Sequence, residues 1–198
     1  MNSTFFARVR FAGAALTMTL TALAGCDHSA TGVIQPLEVS EPSFKAQAQA
    51  VRDGQSKQIR LDHRPVADSD LVELEGLEDK LMRINLTRTS ITDDGLKRII
   101  RMHGLEQLRL ASPRVTDAGL ECLSELKQLR FLHLIGMPIT DAGLDRLHSL
   151  TSLESLYLDD TQATEGGIGR LLAAMPNVHL HFGGQHHPLD PHGKDHTH

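Results

Sequence analysis

Tryptophan is missing from the 198 residues, tyrosine occurs once and cysteine twice. With aromatics at 4%, the core must be built from aliphatic side chains. Two cysteines cannot staple a disulfide-dense scaffold, and without a Cys-x-x-C pair there is no thiolate zinc site. No run of 18 uninterrupted apolar residues is present, which excludes an ordinary membrane-spanning helix. A surplus of basic residues is lacking too. The net charge of -5 argues against nucleic acid as a partner, because phosphate binding needs an excess of Lys and Arg. What remains, 40% hydrophobic and 23% charged, suits one modest globular domain.

The N-terminus reads as an address. Arg8 and Arg10 precede an uncharged stretch over 11–24 that is too short to span comfortably, as in a secretory signal. It closes with Leu23-Ala24-Gly25-Cys26, a run that resembles the lipobox of bacterial lipoproteins. That resemblance implies a signal peptide over 1–25 and acylation of Cys26. An anchor of several acyl chains is effectively permanent at about 0.8 kcal/mol per buried methylene. Loss of Arg8 and Arg10 takes 20 basic residues to 18 against 25 acidic, a net charge of -7, so the anchor is lipid rather than a polybasic patch. Asp27 resembles an inner-membrane retention residue, but the rule differs among bacteria and leaves the membrane open. Residues 26–42 read as a flexible tether. Over 43–56, Phe44, Ala48 and Val51 fall on one helical face between Ser43 and Gly54, predicting a helix that caps the open end of the remaining chain.

From residue 57 onward the chain is periodic. Residues 81–104, 105–128 and 129–152 align without a gap, 153–177 succeeds them with one extra residue, and a weaker copy precedes them at Ile59, Leu61, Val66 and Leu71. The shared pattern is L-x-x-L-x-L-x-x-T-x-I-T-D-x-G-L-x-x-L. Its L-x-L segment alternates as a half-buried strand does, and the part after T-D places apolar residues on one helical face. Thr92, Thr116, Thr140 and Thr164 can cap that helix, with Asp93, Asp117, Asp141 and Glu165 at its positive end. Gly95, Gly119, Gly143 and Gly167 keep side chains out of the strand-to-helix junction. Such units cannot bury their apolar faces alone, so an α/β solenoid of stacked, right-handed strand-helix repeats is expected over 57–182. The pattern resembles the leucine-rich repeat fold, and T-D-x-G-L is similar to the subclass found in bacterial repeat proteins and in the repeat part of F-box proteins. No F-box precedes it here, so a ubiquitin-ligase role is not carried over.

With the leucines inward, the polar strand positions form columns on the concave face, where such solenoids usually bind. The middle column reads Arg60, Asn85, Arg109, His133, Tyr157 and His179. The column before it reads Gln58, Arg83, Gln107, Phe131, Ser155 and Asn177, and the column after it Asp62, Thr87, Ala111, Ile135, Asp159 and His181. Phe131, Ile135 and Tyr157 should thus lie exposed beside Arg83, Arg109 and His133, and aromatics and Arg are the residue types that dominate interface energies. These six form the candidate partner-binding set.

Seven of the twelve histidines fall in the last 20 residues: His179, His181, His186, His187, His192, His196 and His198. Imidazole suits Zn, Cu or Ni, yet the Gly-bearing tail over 183–198 implies no preset tetrahedral site. Cys122 reads as a semi-buried small residue. The motifs G-x-S-x-G and H-E-x-x-H and a phosphate loop with its Lys are all missing, and no cofactor is implied beyond such a metal. The expectation is a non-enzymatic, membrane-tethered recognition protein of the bacterial cell envelope, binding a protein or envelope component on its concave face. The alternative is a metal-binding or metal-buffering lipoprotein that works through the His-rich C-terminus.

Overall fold

The computed structural model describes residues 41–186, apart from 63 and 184. Six strands lie side by side in chain order: β1 Gln58–Arg60, β2 Arg83–Thr87, β3 Gln107–Ala111, β4 Phe131–Ile135, β5 Ser155–Asp159 and β6 His179–Phe182. All five pairings among them are parallel, and a short β7, Gln185–His186, closes the edge antiparallel to β6. Each strand turns alternate residues inward. Ile84 and Leu86, Leu108 and Leu110, Leu132 and Leu134, and Leu156 and Leu158 are all buried. In-register parallel pairing stacks these residues into two continuous apolar rows, for example Ile84 beside Leu108 beside Leu132. One core therefore runs through every repeat.

Helices return the chain along the other side: α1 Phe44–Arg52, α2 Asp93–Ile99, α3 Asp117–Leu120, α4 Asp141–Arg146 and α5 Glu165–Ala174. Most are shorter than the sequence period suggests. The first repeat has a 3-10 turn, Asp68–Leu74, in place of an α-helix, and α3 passes directly into a 3-10 turn at Glu121–Glu125. The Thr caps form as expected, with Thr92, Thr116, Thr140 and Thr164 each accepting a backbone N–H from the first turn at 3.2 Å.

The Asp and Gly of the repeat do more than their local setting implies. Each Asp reaches into the next repeat, where its carboxylate accepts from both the backbone N–H and the hydroxyl of the capping Thr. Asp68 takes Thr92 at 2.9 and 2.6 Å, Asp93 takes Thr116 at 2.8 and 2.8 Å, Asp117 takes Thr140 at 2.9 and 2.6 Å, and Asp141 takes Thr164 at 2.8 and 2.8 Å. The Gly of the receiving repeat makes room for that carboxylate. A Cβ at Gly95, Gly119, Gly143 or Gly167 would stand 2.2–2.3 Å from the Asp Oδ1 below it. Both ends of this ladder depart from the repeat. Asp70 occupies the Gly position of the first repeat, where no earlier Asp intrudes, and its own carboxylate accepts the Ala67 N–H at 2.9 Å. At the other end Glu165 stands in the Asp position, and no further Thr-capped helix comes after it among the described residues.

Both sheet edges are covered. Ser43 caps α1 through its hydroxyl, and Ala48 and Val51 on its inner face are buried. Gln47 then treats β1 as a neighbouring strand would: its amide oxygen accepts the Arg60 N–H at 2.7 Å while its amide nitrogen donates to the Arg60 carbonyl at 2.8 Å. Two rings pack against the aliphatic core from its ends, Phe44 on α1 and Phe182 on β6.

Candidate functional site

In-register parallel strands lie about 4.8 Å apart, so flat side chains at one phase can meet face to face. On the strand face away from the helices this happens in the middle column, where Asn85 pairs with Arg109, Arg109 with His133, His133 with Tyr157, and Tyr157 with His181. The His133 and Tyr157 rings stack with centroids 4.0 Å apart and planes 4° from parallel, and Tyr157 and His181 do so at 4.1 Å and 6°. Stacked pairs of this kind contribute about 0.5–1.5 kcal/mol each beyond the area they cover.

The last strand sits two residues out of the expected register. Leu180 pairs with Leu156 and Phe182 with Leu158, so His179 falls beside Ser155, and His181, rather than His179, enters the middle column. The reason is local. Helix α5 is a full ten residues, the longest of the set. Val178 then closes the turn after it instead of opening the strand, its N–H donating to the Met175 carbonyl as that of Leu153 does to Leu150. The stack of three rings is therefore completed by His181.

Phe131, Ile135 and Tyr157 are half-buried, not exposed as expected. Tyr157 is covered on both faces by imidazoles, and Phe131 lies under the Arg130 guanidinium, 5.3 Å from the ring centroid. Arg130 is pinned there by two bonds to Glu154, at 2.7 and 2.8 Å. Among the described residues, the one large apolar side chain left exposed is Val72.

Charge divides the face. Burial pushes the His133 imidazole down to about 4, assisted by the Arg109 guanidinium beside it and opposed by Asp159, so His133 is neutral at pH 7. Toward β1 the character is cationic. Gln58, Arg60, Arg83, Asn85, Gln107 and Arg109 line a shallow cavity of about 170 Å³. Arg109 Nε is buried without a hydrogen-bond partner, and neither Arg83 nor Arg109 forms an ion pair among the described residues. Arg60 lies 3.9 Å from Asp62. Of the six candidate partner-binding residues, Arg109, His133 and Tyr157 share the middle column, Arg83 and Phe131 lie in the column before it, and Ile135 lies in the column after it beside Asp159. His181 is the member that the sequence columns misplaced.

The metal candidates divide otherwise. His179 and His181 are on β6, and the backbone of His186 lies opposite His181 on β7. His187, His192, His196 and His198 lie outside the described residues, as do Cys26 and the segment before it. Among the described residues no three His, Cys, Asp or Glu side chains converge on a point that could hold a metal ion. Cys122 is a half-buried free thiol. No described helix is long and apolar enough to cross a membrane.

No family model matches the chain, and no curated protein does. Among solved structures, a leucine-rich repeat protein of Leptospira interrogans is similar at 21% identity and a TM-score of 0.51, over 70% of this chain and 33% of that one. An internalin of Listeria monocytogenes is 21% identical with a TM-score of 0.45, over 71% of this chain and 46% of that one. The chain thus spans a third of the length of the Leptospira protein and under half that of the internalin. The parallel six-stranded sheet with its returning helices is the leucine-rich repeat fold.

Proposed function

We propose that this leucine-rich repeat solenoid is a non-enzymatic recognition protein, which holds a protein or another cell-envelope component against its strand face. The stack of His133, Tyr157 and His181 is the observation that carries the reading. Rings already aligned by the sheet lose little freedom when a partner covers them, which lowers the ordering cost of association. The neighbouring Arg109 keeps a polar atom without a partner at the edge of the stack, and Arg and Tyr are the residue types that dominate binding energy. Membrane tethering through Cys26 is part of the same proposal and is supported by the Leu23-Ala24-Gly25-Cys26 run that ends the signal-like segment.

A photo-crosslinking amino acid in place of Tyr157 should yield discrete adducts in intact envelopes, whereas the same group in place of Arg98 on α2 should not. Equal adducts from both positions would remove the strand face as the binding surface. Replacement of Cys26 by Ser should release the mature protein into the soluble fraction with loss of acyl mass. Retention in the membrane fraction would end the tethering half of the proposal.

A further inference from the structure

Two of the three columns of the strand face carry positive charge alone, although the whole chain is net negative. Those two columns, from β1 to β6, read Gln58, Arg83, Gln107, Phe131, Ser155, His179 and Arg60, Asn85, Arg109, His133, Tyr157, His181. There is no carboxylate among these twelve residues, in a chain with 25 acidic residues. The acids of the face are Asp62 and Asp159, at either end of the third column. Asp62 engages Arg60, and Asp159 lies beyond Tyr157. Arg83 and Arg109 face the 170 Å³ cavity and form no ion pair among the described residues.

The spacing of the cations indicates what they receive. Arg60 and Arg109 lie on strands two apart, about 10 Å, and Arg83 is displaced along its strand by two residues, about 7 Å. The three side chains start from three different strands and so offer an anionic ligand several separate points of contact. An extended peptide laid across the strands presents carboxylates at about 7 Å intervals on one face, and the long, flexible Arg side chains can reach to meet them. We infer that the Arg60, Arg83 and Arg109 cavity is the socket for an acidic, extended peptide segment of the partner, which runs across the strands toward the ring stack. This socket deepens the recognition reading and rests on it.

The chain reports on its own binding, because Tyr157 is its single tyrosine and tryptophan is absent. Intrinsic fluorescence therefore originates in the stack. An acetylated hexaglutamate peptide titrated into the mature protein at low salt should bind, perturb that emission, and weaken steeply as salt is added. Arg83→Gln combined with Arg109→Gln should weaken binding about tenfold or more, while Arg98→Gln on α2 leaves it unchanged. Arg83 is exposed, so Arg83→Gln alone supplies a folded variant if the double one is unstable, and it should weaken binding several-fold. Three outcomes overturn the inference: no hexaglutamate binding to the folded protein, binding that survives both substitutions in full, or inorganic phosphate binding as tightly as the peptide. Crosslinking at position 157 that persists in any of these cases would leave the recognition reading standing while this inference fails.

Discussion

A methyl group on Gly119 has nowhere to go. It would lie 2.2 Å from Asp93 Oδ1 and 2.9 Å from Cγ, on a carboxylate held by two bonds to Thr116. Gly119→Ala should therefore destabilise the protein by about 1–3 kcal/mol, the usual range for overpacking. In an Asp93→Ala background the same substitution should cost less than half as much, since the obstructing oxygens are gone; urea unfolding of the four proteins tests the coupling. Additive effects would contradict the ladder. His133 gives a second test. Its folded value of about 4 lies below the ordinary 6.5, so between those limits the unfolded chain takes up a proton that the folded chain refuses. Stability from this residue is complete above pH 6.5 and declines as pH falls toward 4. His133→Phe keeps a ring in the stack and removes the titration, so the unfolding midpoint should change less between about pH 7.5 and pH 5 than in the parent.

At the level of elements, Gln47 replaces an absent strand. Gln47→Ala should cost about 1–2 kcal/mol and release the Arg60 amide hydrogen to exchange well before its neighbours in β2. Unchanged Arg60 exchange would show that α1 protects the edge by contact alone. The legible parts of this architecture were those with a local period. L-x-L announces a strand within three residues, and Thr before Asp announces a helix start, because both signals stay inside one element. The Asp-to-Thr bonds link positions 23 or 24 apart, and the same Asp already had a sufficient local explanation in the helix dipole. Nothing in the sequence was left over to signal them. The columns of the strand face were readable wherever the repeat length held, which brought Arg109, His133 and Tyr157 together correctly. His181 was misplaced because Val178 and Leu180 mimic the strand pair that Leu180 and Phe182 form. The extent of ring burial was also invisible, since it depends on how closely adjacent strands bring Tyr157 to two imidazoles.

On the scale of the molecule, every repeat completes the core of its neighbours, so the array should unfold as one coupled unit. Leu132 is fully buried at the centre, and Leu132→Ala should cost about 2–5 kcal/mol in a single unfolding transition seen alike by circular dichroism and Tyr157 emission. Two separate transitions would refute the coupling. The joint between repeats has a direction: a carboxylate on the leaving side, and a hydroxyl, an amide and a vacant Cβ position on the receiving side. Interior units are consequently interchangeable cassettes with matching ends, whereas among the described residues the first and last units each mate on one side only. A chain in which 105–128 is duplicated in tandem places Asp117 under a second Thr116 and Gly119, and should fold with a raised unfolding midpoint. Duplication of 56–80 sets Asp70 against Asp68, and should not. The length of such a protein can therefore grow by inheritance from its middle and not from its tips.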